Sequence, residues 1–369
     1  MSQQEKVKFS PETKSHFYTT LKKRVDAYFV ERDISRHGDG RMVLKTFVFL
    51  SAYIIPFVLI LIYKLPLVFS FPLWLIMGLA VSGIGMNIMH DANHGAYSEN
   101  ANVNKWLGYT LYLVGVGVKN WKFQHNVLHH TYTNVTGLDE DIRDRGVVKL
   151  SPHLVPGRPH RWQWLYAFFF YSILTLYWVT LKDFFQYRGF IKTGVNRQSA
   201  SENRKMLAGL LLVKLFYFAI FFGVPVLFFK MPVLEILSGF LIMHVTSGLI
   251  LTIIFQLAHS VEGTAYPLPD SKGILRSEWA IHQLETTVNF SPGNKILTWY
   301  LGGLNYQIEH HLFPKICHVH YPEISSIIKQ TAEEFGLKYL ENPSFAVAFR
   351  SHVRSLKEFG MPHINEAIG

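Results

Sequence analysis

The amino-acid sequence predicts an all-α integral membrane protein, with four transmembrane helices arranged as two hairpins, interfacial helices and a cytoplasmic His-rich di-metal cap. Three observations lead there. Of the 369 residues, 49% are apolar and 15% aromatic, a content that suits a membrane protein. Four apolar runs are each long enough to cross the ~30 Å hydrocarbon core as a helix. Eight histidines fall at the ends of those runs or in the polar stretches beyond them.

In chain order, residues 1–43 are polar, carry no signal-peptide pattern and read as a cytoplasmic N-terminal segment. The first run covers roughly Thr46–Tyr63 and the second Leu65–Met89, joined by "KLP". The third covers about Leu207–Phe229 and the fourth Val233–Ala258, joined by "KMP". Joints this short make each pair an antiparallel hairpin, so an inside N-terminus keeps both hairpins starting and finishing inside. Trp106–Val118 is short for a span and contains glycine, and reads as interfacial or re-entrant. The stretch 165–181 is long enough to cross. However, the loop after it carries Lys182, Arg188, Lys192, Arg197, Arg204 and Lys205 against Asp183 and Glu202, a bias that belongs on the cytoplasmic side. It therefore reads as a helix in or dipping into the inner leaflet. The membrane domain runs over 44–340, and 341–369 form a cytoplasmic tail. Trp121, Trp162, Trp164 and Trp299 fit an interfacial belt.

A formal charge of +10 suits either nucleic acid or an anionic lipid surface. The apolar runs decide for lipid, and no basic tract marks a nucleic-acid site. Cys317 is the single cysteine, which excludes an intrachain disulfide and any paired-cysteine zinc or iron–sulfur site.

The histidines carry the chemistry. His90 and His94 sit in "HDANH" after the second run, and His125, His129 and His130 in "QHNVLHH". His259 closes the fourth run, and His310 and His311 lie in "QIEHH". Imidazoles at i and i+4 share a helix face and can hold one metal. Eight are too many for one four-coordinate zinc but enough for two metals with open positions. Imidazole suits zinc, copper, iron and nickel alike; oxygen activation beside a lipid tail requires a redox metal and favours iron. Asp91 and the cluster Asp139, Glu140 and Asp141 are candidates to orient rings by accepting their free N–H groups. His282 is a candidate to meet substrate or a ligand. His244, inside the fourth run, reads as a helix–helix hydrogen bond, and His153, His160, His318 and His320 flank proline-containing loops and are left out of the metal set. Gly302 and Gly303 allow a close backbone approach or a plain turn.

"HDANH", "QHNVLHH" and "QIEHH" resemble the three histidine boxes of the membrane fatty acid desaturases, over about residues 46–340. The resemblance implies a di-iron centre that uses O₂ and two electrons to remove two hydrogens from adjacent acyl carbons. His90, His94, His125, His129, His130, His310 and His311 would then be iron ligands, with His259 matching a further one. Gln307 stands where many members have histidine, as a weak ligand or positioner. Gln307, "FQLAHSVEG" and "HQLETTVNFSPG" are similar to the front-end subgroup, which desaturates on the carboxyl side of an existing double bond. Many of those enzymes carry a fused cytochrome b5 domain; residues 1–43 are too short for one, which implies a separate donor, cytochrome b5 or ferredoxin. The expected substrate is an acyl chain on CoA or a lipid, its headgroup near the basic residues of 182–206, and the expected host is a bacterial inner membrane or the endoplasmic reticulum. A di-iron hydroxylase or alkane monooxygenase is the competing enzyme, and a membrane metal transporter the non-enzymatic alternative.

Overall fold

Both membrane hairpins turn on the same device. In a computed structural model that describes residues 7–10 and 15–362, Lys64 and Lys230 each lie just past a helix end at positive φ, 46° and 59°. Each is followed two residues on by a proline, Pro66 or Pro232, that starts the next helix. A left-handed non-glycine residue costs roughly 1 kcal/mol, and the proline cannot continue the helix before it.

After the N-terminal helix α1 (Phe17–Glu31), α2 (Gly40–Tyr63) and α3 (Leu67–His94) form the first hairpin. Beyond α4 (Arg158–Ser172) and α5 (Leu174–Thr193), α6 (Ala200–Phe228) and α7 (Val233–His259) form the second. These four long helices match the four predicted crossings, and the protein is an integral membrane protein. The α3 and α7 spans are 50% buried against 28% for α2 and α6, so α3 and α7 are the central pair. Small residues let them touch. Gly78 lies against the Met243 carbonyl and Gly239 on the Trp74 ring. Ser82 Oγ donates to the Ser247 carbonyl at 3.4 Å.

The stretch 165–181 is not one straight helix. Between α4 and α5 the chain bends by 52°. There the Ser172 carbonyl packs directly on Gly248 of α7, where a Cβ would collide. Thr175 then donates to the His244 carbonyl at 2.8 Å. The Trp106–Val118 stretch folds as the short helices Ala101–Gly108 and Thr110–Leu113, with Gly115 at φ 72°.

The cap is built by helices that return to the ends of the spans: α8 (Trp279–Thr286), α9 (Gln307–Leu312), α10 (Tyr321–Glu334) and the amphipathic α11 (Phe345–Phe359). Phe17, Leu21 and Val25 of α1 pack into one cluster with Ile324, Ile328 and Ala332 of α10. The N-terminal helix α1 is thus packed against the cap. Two short parallel pairs, Lys8–Phe9 with Ile274–Leu275 and Asn289–Phe290 with Glu341–Asn342, tie distant segments together.

Candidate active site

Wide helical turns precede or contain two of the histidine motifs. A π-type turn at Ile84–Ile88 precedes His90, and another spans Phe123–His129. Such a turn closes on the fifth residue rather than the fourth. His130 therefore joins His129 in facing His125. The His125 Nε2 lies 3.2 Å from His130 Nε2 and 3.1 Å from His90 Nε2.

All eight predicted histidines converge. His90, His94, His125 and His310 form one group whose ring nitrogens lie within 4.8 Å of one another, and His129, His259 and His311 form a second. His130, with His310 and His311, bridges the two. Gln307 sits within the second group, its Nε2 2.9 Å from His259 Nε2 and 3.3 Å from His311 Nε2.

The donor set fits a pair of metals. Buried ring nitrogens of His94, His129 and His310, each an Nε2, have no hydrogen-bonding partner. Ring nitrogens about 3 Å apart are close enough for one ion to be shared between them. On the far side, the rings are anchored. His129 Nδ1 meets Asp139 at 3.1 Å and Asp141 at 3.3 Å. His311 Nδ1 lies 2.8 Å from Gln283 Oε1, and His310 Nδ1 lies 3.3 Å from the Tyr321 hydroxyl. Such partners fix which nitrogen is free to ligate.

A cavity of about 490 Å³ opens beside this cluster. Glu140, Asp141, Arg143, Arg145 and Lys182 form its charged mouth, open to solvent at the half-exposed Arg143; His90 and His125, the apolar Val81, Leu111, Val114 and Trp178, and the polar Thr175 and His244 also line it. The shape and lining suit a hydrocarbon chain with a polar end.

The sequence profile of the family described as Fatty acid desaturase matches residues 34–343. The sn-1 linoleoyl-lipid 6-desaturase of Synechocystis is 36% identical over 96% of this chain and 98% of its own length. That of Arthrospira platensis is 37% identical over 95% of both. The acyl-lipid (8-3)-desaturase of Physcomitrium patens is 36% identical over 94% of this chain and 72% of its own. The chain belongs to the fatty acid desaturase family. It is an oxidoreductase that acts on acyl chains in a membrane, and the family is di-iron and O₂-dependent.

Within this desaturase, electrostatics favours neutral ligands. Burial, and then the neighbouring rings, push His125, His130, His310 and His311 well below the ordinary imidazole range. His129 goes the other way. Burial opposes its charge, but Asp139 and Asp141 prevail and raise it to about 9.

Some residues differ from the sequence-based expectation. Trp121, predicted for the headgroup belt, is buried with its ring 4.6 Å from His125, because the re-entrant segment folds it under the second motif. Trp162 and Trp299 are exposed. Of the basic residues of 182–206 expected near a headgroup, only Lys182 lines the cavity; Arg143 and Arg145 join it from the segment after the second motif. His282 is buried, lies outside the metal-capable groups among the described residues, and meets the edge of Phe9 at 5.3 Å. His244 bonds between helices, 2.8 Å from the Tyr217 hydroxyl and 3.1 Å from Thr175 Oγ1.

His318 belongs to the surroundings of the site. Asp91, 3.6 Å from His90 Nδ1, accepts from His318 Nδ1 at 2.8 Å and from the Cys317 thiol at 3.1 Å. Lys45 lies 2.8 Å from the other His318 nitrogen. These contacts, with Gln283 and Tyr321, escaped the sequence because each partner lies far along the chain and carries no local pattern. Asn134 is another: its amide donates to the carbonyls of His259, Ala265 and Thr286 at 3.0–3.3 Å.

Proposed function

We propose that this desaturase introduces a cis double bond on the carboxyl side of an existing one, in an acyl chain esterified to a membrane lipid. The observation that carries the regiochemistry is the shared carboxylate at the cavity mouth. Asp141 lines the mouth and also lies 3.3 Å from His129 Nδ1. A mouth this close to the metal cluster leaves room for few carbons between the polar end of the chain and the reacting pair. Gln307 and the names of the relatives from Synechocystis and Physcomitrium support the same reading.

In this reading, His90, His94, His125 and His310 would hold one iron and His129, His259 and His311 the other, with His130 and, as a weak ligand or positioner, Gln307 completing the set. Bound there, the irons would supply O₂ activation with two electrons from a donor protein, cytochrome b5 or ferredoxin. The chain's own residues do the rest. Asp91, Asp139, Asp141, Gln283 and Tyr321 orient the rings, and Trp121 and Phe255 help to keep water from them. The apolar lining holds the acyl tail at fixed depth, so position selects the carbons. The site faces the cytoplasm, a sidedness supported by the excess of Lys and Arg over 182–206.

Product analysis by gas chromatography–mass spectrometry tests the proposal, in a host lacking polyunsaturated lipids and fed linoleate and α-linolenate. A new double bond on the carboxyl side, absent in His129→Ala, is expected. A hydroxylated chain would move the enzyme to the neighbouring reaction class.

A further inference from the structure

One cation at the cavity mouth has no counter-charge paired with it among the described residues. Lys182 is 3% exposed and lines the cavity at the end of a wide helical turn, Trp178–Lys182. Its ammonium lies 3.7 Å from the centre of the Trp178 ring. Among the described residues it has no hydrogen-bond acceptor and no ion pair. Its carboxylate neighbours are Glu140, Asp141 and Asp183, and all three are engaged elsewhere. Glu140 holds Arg143 at 2.6 Å, and Asp183 holds Lys214 at 2.7 Å and the Gly117 amide at 2.9 Å. Asp141 accepts from Gln124 and meets His129.

A buried ammonium has three N–H donors and is costly to leave without acceptors. The face of Trp178 supplies a cation–π contact but no lone pair. What remains is the cavity. An acyl chain entering it is apolar throughout except at its carboxyl end, so the oxygen that can reach Lys182 is the acyl carbonyl. Arg143 and Arg145 lie further out, with side chains 55% and 32% exposed, where a headgroup would pass.

We infer that Lys182 is a positioning residue that donates a hydrogen bond to the carbonyl oxygen of the acyl group and so fixes the origin from which carbons are counted to the metal cluster. The inference rests on the front-end reading and deepens it. Asp141 is a charge neighbour of Lys182 and also meets the His129 ring, so the same carboxylate lies between the counting origin and the histidine cluster. An ester in a membrane lipid and a thioester on CoA present the same carbonyl.

The test uses the full chain in lipid nanodiscs and two glycerolipids, one carrying its linoleyl chain by an ester and one by an ether that lacks the carbonyl. Wild type binds the ester roughly tenfold more tightly than the ether, the worth of one charge-assisted hydrogen bond. Lys182→Met erases the difference, and Lys182→Arg restores part of it. In turnover of the ester, wild type gives one double-bond position; Lys182→Met raises KM and spreads the product over neighbouring carbons. Equal wild-type binding of ester and ether overturns the inference whether or not the variants fold. An unchanged double-bond position and KM in Lys182→Met also overturns it. A matching loss of linoleoyl-CoA binding in Lys182→Met would make the thioester the source of the carbonyl. Wild type that forms no carboxyl-side double bond sinks the front-end reading instead, while the ester–ether binding difference still decides Lys182.

Discussion

Asp139 takes the Nδ1 side of His129 at 3.1 Å, and the opposite nitrogen, Nε2, is left buried and without a partner. The carboxylate also accepts from the backbone N–H groups of Asn134 and Asp141, both at 2.9 Å, so it is itself held in place. The ring can therefore present only one nitrogen to the cluster. Replacing Asp139→Asn should lower iron retention or activity by roughly 10–100-fold, as losses of such supports do. Iron content by mass spectrometry and product yield would show it, with the exposed Glu202→Gln unchanged.

His129 also sets a proton balance. In the metal-free protein it stays charged up to about 9, while burial and neighbouring rings keep His125, His130, His310 and His311 neutral. A charged ring must lose its proton to ligate, so loading at neutral pH should release roughly one proton per chain. Affinity should rise with pH until about 9 and then level off. Loading in a weakly buffered indicator solution measures this; no release at neutral pH would contradict it.

Gln307 tests how much a neutral amide contributes amid imidazoles. With its Nε2 2.9 Å from His259, it fills a position that an apolar side chain would leave without a donor or acceptor. Gln307→Leu should keep the fold and lose roughly 10–100-fold in activity or iron retention. His311→Ala should lose product altogether. If Gln307→Leu matched wild type in both readouts, Gln307 would be a spacer.

The depth of the cavity should appear in substrate length. Val81 lines the cavity nine residues before His90 on α3, about 13 Å along the helix. Val81→Phe should shift preference toward shorter acyl chains while the double bond stays at the same count from the carboxyl end. Feeding a mixture of chain lengths and mapping the products separates the two effects.

Gly302 and Gly303 stand at φ 61° and 68°, and a Cβ on Gly302 would run into the Met86 carbonyl beside the turn that precedes His90. Gly302→Ala should cost more than about 1 kcal/mol and lower Tm in detergent; an unchanged Tm would mean the backbone yields there.

Much of this was legible in the sequence because it is written locally. The spans are continuous runs of apolar residues, and the three motifs sit at spacings that a helix turns into shared faces. Asp139 lies ten residues from His129, near enough to be read as its partner. The unread part is long-range. His318 meets Asp91 from the other end of the chain, and Gln283 reaches His311 from a helix with no motif of its own. Trp121 looked like a belt residue because aromatic composition does not reveal which side of a re-entrant segment faces the protein. The bend after Ser172 depends on a glycine in α7, which no reading of 165–181 alone would expose.

The histidine cluster draws its nitrogens from the ends of α3 and α7, from the 123–132 segment and from α9, which are separated by long stretches of chain. Ions shared among them would tie these distant segments together in the folded protein. Ligands that bind only the folded state stabilise it by mass action. Iron supply would then govern survival of the protein as well as its turnover. Cells starved of iron should lose the polypeptide itself, cleared as an unfolding membrane protein, and should have to synthesise it anew when iron returns.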